Sequence, residues 1–176
     1  MMLTLFCDAS YCHQTQAAGW GAWAKRDDWS RGQEFGGDLC AYVTNCGEAE
    51  MRAIACSIAT LRSKGELSGV SRLMIQSDST RALALLLKRI DGVMVSDHAD
   101  AATITPAKIL ATPNEITALG VVESAIGNIQ ITVRHVRGHQ KGDGRSWVNR
   151  RCDHIAKKYM RAARRRSSAV VERRSS

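Results

Sequence analysis

Residues 2–26 read MLTLFCDASYCHQTQAAGWGAWAKR and contain the first two predicted strands. The alternating side chains of residues 2–8 predict one strand. Residues 17–26 predict a second, in which glycine and tryptophan indicate close backbone approach under aromatic cover. A third strand is predicted around residues 33–43, broken by two glycines. No helix fits between these strands, so antiparallel hairpins are their natural connections.

After the third strand, the apolar residues recur at steps of three and four, which is typical of amphipathic helices. The remaining predicted elements are a helix over 48–64, a strand over 71–77, a helix over 79–90, a helix over 114–126, a strand over 129–136 and a last helix capped by Ser146. Residues 91–112 fit no element and are predicted to form a surface loop. Hairpins followed by alternating helices and strands predict an α/β fold with a mixed sheet.

The net charge of +8 is concentrated at the C-terminal end of the chain. Residues 157–174 contain eight basic residues and one acid, which accounts for +7 of the total. Such a block suits an anionic partner, nucleic acid first, and its alternative explanation is a solvated tail. We place one domain boundary near residue 166 and expect residues 167–176 to be a disordered basic tail.

Targeting signals and metal-type cysteine pairs are both missing from the sequence. No apolar run is long enough to span a membrane, and the first residues lack the basic flank of a secretory signal. We therefore expect a cytoplasmic protein, without a membrane partner, and a monomer. The six cysteines show no C-x2-C spacing, so we expect reduced thiols rather than a zinc site.

Four acids stand at strand ends or in early helical turns: Asp8, Glu50, Asp78 and Asp153. Each alone has a structural explanation as a turn, cap or helix-dipole residue. Together they indicate more, because Asp8 and Asp78 end strands that can be sheet neighbours, where converging carboxylates repel one another without a cation. Hard oxygen ligands suit Mg²⁺ or Mn²⁺, and two such ions about 3.5–4 Å apart support phosphodiester cleavage.

Four local sequences carry a family resemblance over about 150 residues, from Leu3 to Met160. They are FCDASY at 6–11 followed by AAGWGAWAK, TNCGEAEMRAI at 44–54, LMIQSDSTRAL at 73–83, and VRHVRGHQKGDGRSWVNRRCDHIAKK at 133–158. In this order and spacing they resemble the type 1 ribonuclease H family. The resemblance implies a ribonuclease H-like catalytic domain over residues 1–166, with a five-stranded mixed sheet, its first three strands antiparallel, and helices on both faces.

The resemblance also implies an activity and residue roles. The activity is endonucleolytic hydrolysis of the RNA strand of an RNA–DNA hybrid with two Mg²⁺ ions, or Mn²⁺, leaving 5′-phosphate ends. Asp8 and Asp78 are implied to be central metal ligands, and Glu50 to hold the metal on the side of the attacking water. Asp153 is implied to complete the second metal site. His139, in a glycine-rich loop, is implied to assist product release or proton transfer.

Two points of the resemblance leave alternatives open. Glu48 competes with Glu50 for the ligand role, because the segment before Glu50 is one residue longer than the family pattern. Ser10, Thr44 and Asn45 are implied to contact the RNA strand near its 2′-hydroxyl groups, and the alternative is that they are turn and cap residues.

One segment departs from many bacterial family members, which carry a basic helix and loop there to grip the hybrid. Residues 91–128 contain Lys108 as their only Lys or Arg, together with five acids. We therefore expect the last helix and the tail to attract the substrate instead.

Two other functions remain as alternatives. A junction resolvase or exonuclease shares the fold and a similar acidic set, although the Gly138-His139 pair and the Thr44-Asn45 segment favour ribonuclease H. A non-catalytic nucleic-acid-binding module is the other alternative. It is disfavoured, because clustered acids near phosphate do not help a binding surface.

Overall fold

The computed structural model describes residues 1–39, 42–96, 104–105, 109–136 and 144–174, and for residues 144–146 and 167–174 it describes the backbone alone. The elements in chain order are β1 (Met2–Cys12), β2 (Ala17–Arg26), β3 (Gln33–Asp38), α1 (Cys46–Ser63), β4 (Arg72–Ser77), α2 (Thr80–Arg89), β5 (Met94–Val95), α3 (Pro113–Ile126), β6 (Gln130–His135) and α4 (Gly144–Arg174).

The strands form a mixed sheet in the order β3-β2-β1-β4-β6-β5. β1, β2 and β3 are antiparallel neighbours, as predicted, and the other pairings are parallel. The predicted count of five strands is corrected to six within the described residues, because Met94 and Val95 pair with β6 inside the stretch predicted to be a loop. A strand of two residues is too short to show a period-two pattern.

Helices cover both faces of the sheet, and the side chains of β1 pack against the helices on each face. Leu3, Leu5 and Cys7 are buried in the larger core, which also contains the apolar side of α1. Phe6 points the other way and packs with Val148 and Cys152 of α4. The alternation of side chains along a strand therefore builds two cores from one strand.

α4 lies unusually close to β2, because β2 carries glycine where the helix crosses it. A Cβ atom at Gly21 would collide with the carbonyl oxygen of Cys152, and one at Gly19 with the backbone of Met160. Gly21 is also the residue that pairs with Asp8 in the β1–β2 ladder. The close backbone approach predicted for this strand therefore brings the part of α4 around Cys152 near Asp8 of β1.

Several element ends differ from the predictions. β1 continues to Cys12, so Asp8 lies inside the strand rather than at its end, because β2 pairs with the whole of residues 3–12. β3 ends at Asp38 rather than near residue 43, and α4 begins at Gly144, so Ser146 lies inside the helix. α4 continues past residue 166 to Arg174, and the domain boundary proposed there remains a prediction. Among the described helices, none combines the length and apolar character needed to cross a membrane.

Candidate active site

Three carboxylates meet at one edge of the sheet. Phe6 of β1 lies opposite Gln76 of the parallel strand β4, so Asp8 and Asp78, each two residues further on, reach the same edge. Glu50 joins them from the first turns of α1. One oxygen of each acid lies within 4.8 Å of an oxygen of the other two. The carboxyl ends of parallel strands are where α/β folds commonly bind ligands.

We call these three acids the acid cluster, and their negative charges repel one another because the carboxylates lie close together. Asp8 is only 6% exposed. Its burial, and then the charges of Asp78 and Asp153, raise its pKa to about 7, although the Ala9 amide donates a hydrogen bond to its Oδ1 atom at 2.8 Å. Burial, and then Asp8 and Asp78, raise the pKa of Glu50 well above its usual value. Deprotonating all three acids is therefore costly without a compensating cation.

The residues present fit a divalent cation. The Oε2 atom of Glu50 is buried, and among the described residues no donor reaches it. An unsatisfied buried oxygen is costly, and a metal ion would satisfy it. A ligand set made only of carboxylates suits Mg²⁺ or Mn²⁺ better than zinc. A cleft of about 580 Å³ opens beside Glu50 and Asp78, with Asn45 and Arg81 on its walls.

Asp153, the fourth predicted ligand, lies beside the acid cluster rather than in it. Its Oδ2 atom accepts a hydrogen bond from Lys157 at 2.8 Å, one helical turn further along α4. One turn earlier, Asn149 donates from Nδ2 to Asp78 Oδ2 at 3.4 Å. Asp153 still raises the pKa of Asp8, so it lies within electrostatic reach. One side of α4 therefore contacts the site through the Asn149 amide and places an acid and a cation, Asp153 and Lys157, within electrostatic reach of Asp8.

Glu48 and Glu50 occupy different surroundings, which bears on the choice between them. Glu48 is fully buried, and its oxygens accept hydrogen bonds from the Thr44 hydroxyl at 2.7 Å and the Asn114 amide at 3.0 Å. Burial alone would raise the pKa of Glu48, but these donors together with Arg52 lower it. Glu48 thus joins α1 to α3, whereas Glu50 lines the cleft.

The predicted substrate-contacting residues lie near the cleft, with part of their hydrogen-bonding capacity used internally. Asn45 is the N-cap of α1, and its Nδ2 atom donates to Thr44 Oγ1 at 3.0 Å. Asn45 therefore caps α1 and also lines the cleft, and the contact of Thr44 and Asn45 with substrate stays a prediction. Ser10 lies two residues beyond Asp8 on the same strand. His139 lies outside the described residues.

Two features of the site had no predicted role. Lys157 is four residues from Asp153, and that helical spacing is a signal that could have identified the pair. Arg81, on the cleft wall, donates to both oxygens of the buried Glu115 at 2.8 Å. These two residues are 34 positions apart, so no local pattern indicates their contact.

Comparisons with known proteins agree with this geometry. A family model described as RNase H matches residues 1–161. No curated protein is significantly similar in sequence. The N-terminal RNase H domain of Rv2228c from Mycobacterium tuberculosis, solved as a fusion with maltose-binding protein, is similar in structure, with a TM-score of 0.64 and 14% identity. That comparison covers 94% of this chain and 98% of the other.

Two further solved structures are similar. RNase H1 from the halophilic archaeon Halobacterium salinarum NRC-1 has a TM-score of 0.62 and 14% identity, covering 93% of this chain and 100% of that one. LC11-RNase H1, solved in complex with an RNA/DNA hybrid, has a TM-score of 0.60 and 11% identity, covering 92% of this chain and 98% of that one. At such identities these structures show a shared fold.

Proposed function

Because this chain belongs to the RNase H family, we propose that it is a metal-dependent endonuclease that hydrolyses the RNA strand of RNA–DNA hybrids. The observation that carries the proposal is the acid cluster, whose oxygens lie within 4.8 Å of one another at the sheet edge. A buried Glu50 oxygen without a donor among the described residues supports a cation there.

Each acid has a proposed role in holding two Mg²⁺ ions, or Mn²⁺ in their place. Asp8 and Asp78 serve as central ligands, Glu50 serves the side of the attacking water, and Asp153 completes the second position. When bound, the two ions activate a water and stabilise the leaving oxygen of the phosphodiester. Cleavage is proposed to leave a 5′-phosphate.

Other side chains position these acids. The Ala9 amide donates to Asp8 Oδ1 and restrains its orientation. Asn149 donates to Asp78 and keeps that carboxylate directed at α4. Lys157 donates to the Oδ2 atom of Asp153 at the margin of the acid cluster, and the remaining lone pairs of this carboxylate can serve a metal ion. His139 is proposed to assist product release or proton transfer, on the strength of the sequence resemblance.

The proposed substrate is a hybrid, recognised through the 2′-hydroxyl groups of its RNA strand. Ser10, Thr44 and Asn45 are the proposed contacts. The amide of Asn45 uses one N–H on Thr44, so a second N–H is available to an RNA hydroxyl. The complex of LC11-RNase H1 with an RNA/DNA hybrid supports this substrate class.

Cleavage of a labelled panel tests the proposal: RNA–DNA hybrid, duplex DNA, duplex RNA and a four-way DNA junction, each with Mg²⁺ and with chelator. We expect cutting of the hybrid's RNA strand in Mg²⁺ alone. Asp78→Asn should lower the cleavage rate by roughly 10³-fold, because it removes a carboxylate from the acid cluster. Hybrid binding should be largely retained.

A matched control is Asp28→Asn, the same chemical change at an exposed acid that pairs with Arg26 instead. It should cut at the wild-type rate. Preferential cutting of the junction would support the resolvase alternative, and hybrid binding without any cutting would support the binding module. Either result, or full activity of Asp78→Asn, would overturn the proposal.

A further inference from the structure

The outer side of α4 carries a row of exposed cations. Arg150, Lys158, Arg161 and Arg165 are exposed, and their spacing places them on one side of the helix, within an arc of about 80°. The opposite side of α4, with Cys152 and Ala156, is buried. From Arg150 to Arg165 the row is about 22 Å long at the helical rise per residue. We call these four residues the α4 row.

The charge of the α4 row is not neutralised within the described part of the chain. Other cations of α4 have acidic partners there: Arg151 pairs with Glu34, Lys157 with Asp153, and Arg166 with Asp38. The members of the α4 row form no ion pair with a described carboxylate. The sequence from residue 154 to 171 also contains no acid. The α4 row is therefore a strip of positive charge open to solvent.

The row begins beside the acid cluster. Asp153 lies between Arg150 and Lys158 on the same helix. Gly21 lies against Cys152 and Gly19 against Met160, so α4 runs antiparallel to β2 and in the direction of β1. The helix thus continues past the edge where the acid cluster lies. By contrast, the segment between α2 and α3 offers one Lys or Arg, Lys108.

We propose that the α4 row binds the phosphate backbone of the nucleic-acid substrate beside the cleavage position. This proposal rests on the proposed function for the identity of the substrate. Charge complementarity favours a polyanion with regularly spaced phosphates. A lipid surface fits less well, because Trp147 is the only exposed large apolar side chain among the described side chains of α4, and interfacial helices need an apolar face.

Binding to an intact hybrid tests the α4 row. Arg150→Gln, Lys158→Gln, Arg161→Gln and Arg165→Gln are combined in an Asp78→Asn background, so that the hybrid is not cut. The matched control removes four exposed cations elsewhere, through Arg31→Gln, Lys64→Gln, Arg72→Gln and Arg89→Gln. Fluorescence anisotropy gives Kd between about 50 and 200 mM salt. Circular dichroism checks the fold of both variants.

We expect the row variant to bind at least tenfold more weakly than the control. The slope of its log Kd against log salt should decrease by about 0.9 for each duplex phosphate that the protein no longer neutralises. With Asp78 restored, kcat/KM of the row variant should fall mainly through KM, because no member of the row belongs to the acid cluster. The control variant, which keeps the row, should follow the parent protein in slope.

Failure of this proposal is distinguishable from failure of the proposed function. If row and control variants bind the hybrid equally, the row is not the phosphate contact, whether or not the wild type cuts. If the wild type cuts no hybrid while the row variant still loses binding, the row proposal stands and the nuclease proposal falls. Row-dependent binding to anionic phospholipid vesicles, with hybrid binding unchanged, would also overturn it.

Discussion

Glu48 and Glu50 are separated by one residue of α1, yet their surroundings are opposite. Glu48, like the buried Glu115, is surrounded by donors: burial would raise the pKa of each acid, but hydrogen bonds and nearby cations lower it. Glu50, with Asp8, is surrounded by other acids, and burial together with their charges raises its pKa. Glu48 is the more deeply buried of the two glutamates, yet its pKa is the one that is lowered, so the supply of donors makes the difference.

Glu48 and Glu115 stabilise the fold through hydrogen bonds, whereas the acid cluster needs a cation to balance its charge. Glu48 accepts a hydrogen bond from Asn114 of α3, and Glu115 of α3 accepts two from Arg81 of α2. These contacts link three helices on one face of the sheet. In the acid cluster, no ion pair among the described residues balances the negative charge. The resulting repulsion lowers the free energy of unfolding of the metal-free protein and favours the binding of divalent ions.

The largest expected effect contrasts Glu50→Gln with Glu48→Gln. Glu50→Gln should reduce hybrid cleavage by roughly 10³-fold, because it removes charge from the acid cluster, while the protein stays folded. Glu48→Gln should instead lower the free energy of unfolding by about 1–3 kcal/mol, because a buried charge-assisted network is broken. Cleavage assays and urea denaturation on both variants measure this. The reverse pattern would show that Glu48 is the functional acid.

The stabilising role of Glu115, an acid surrounded by donors, can be tested with the variant Arg81→Met. This change leaves Glu115 buried without its bidentate partner, and we expect a loss of ~2 kcal/mol in the free energy of unfolding at neutral pH. The loss should be smaller than for a fully buried pair, because Arg81 is 39% exposed. Adding Glu115→Gln should recover part of the stability, as urea denaturation would show. A double variant no more stable than Arg81→Met would contradict the assigned role of the Glu115 charge.

The pH dependence of stability should have opposite signs in the two regions. The pKa of Asp8 is raised from 3.8 to about 7 on folding, so its contribution is favourable at low pH and is lost as pH rises between these values. In chelator, Asp8→Asn should therefore be more stable than the wild type at about pH 8, by about 1–2 kcal/mol, and not at pH 4. Excess Mg²⁺ should reduce this difference.

Glu115 should behave in the opposite way. Its pKa is lowered on folding, so its favourable contribution is present above its usual value near 4.5 and is lost as pH falls through the lowered value. Urea denaturation across about pH 3 to pH 8 measures both effects. Equal stability of Asp8→Asn and the wild type at pH 8 in chelator would show that repulsion within the acid cluster does not destabilise the protein.

The smallest expected effect concerns Lys157, the cation at the margin of the acid cluster. Lys157→Gln should tighten divalent-ion binding by roughly two- to fivefold, because it removes a positive charge 2.8 Å from Asp153. Isothermal calorimetry with Mn²⁺ measures the change without relying on activity. Lys158→Gln is the matched control, since Lys158 is next in sequence and contacts Tyr159 instead. Equal affinities in the two variants would contradict this role for Lys157.

Much of the fold was predictable because it depends on local periodicity. The alternation in β1 and the three- and four-residue spacing in α1 identify these elements and the faces they bury. β5 was missed because it has two residues and is held by pairing with β6. The end of α4 was equally uncertain, since a solvated basic segment has no apolar pattern to mark where a helix stops.

The site was predictable in part. Asp8 and Asp78 could be chosen because the sequence places both near the carboxyl ends of neighbouring strands, although Asp8 lies inside β1 and Asp78 follows β4. The surroundings of Glu48 could not be predicted, because they depend on Asn114, which is 66 residues away. The hydrogen bond between Lys157 and Asp153 depends on side-chain conformations that spacing permits but does not require. Contacts distant in sequence therefore decided which acid faces the cleft.

The glycines of β2 have a consequence for how this protein can change. Gly19 and Gly21 let α4 approach the sheet closely, so a side chain at either position would displace the helix that carries Asp153. The solvent side of the same helix carries none of this constraint. Substitutions on the solvent side of α4 can change the attraction to polyanions without displacing the carboxylate of Asp153. One side of the helix therefore keeps the geometry of the site, while the other side can vary the affinity for substrate.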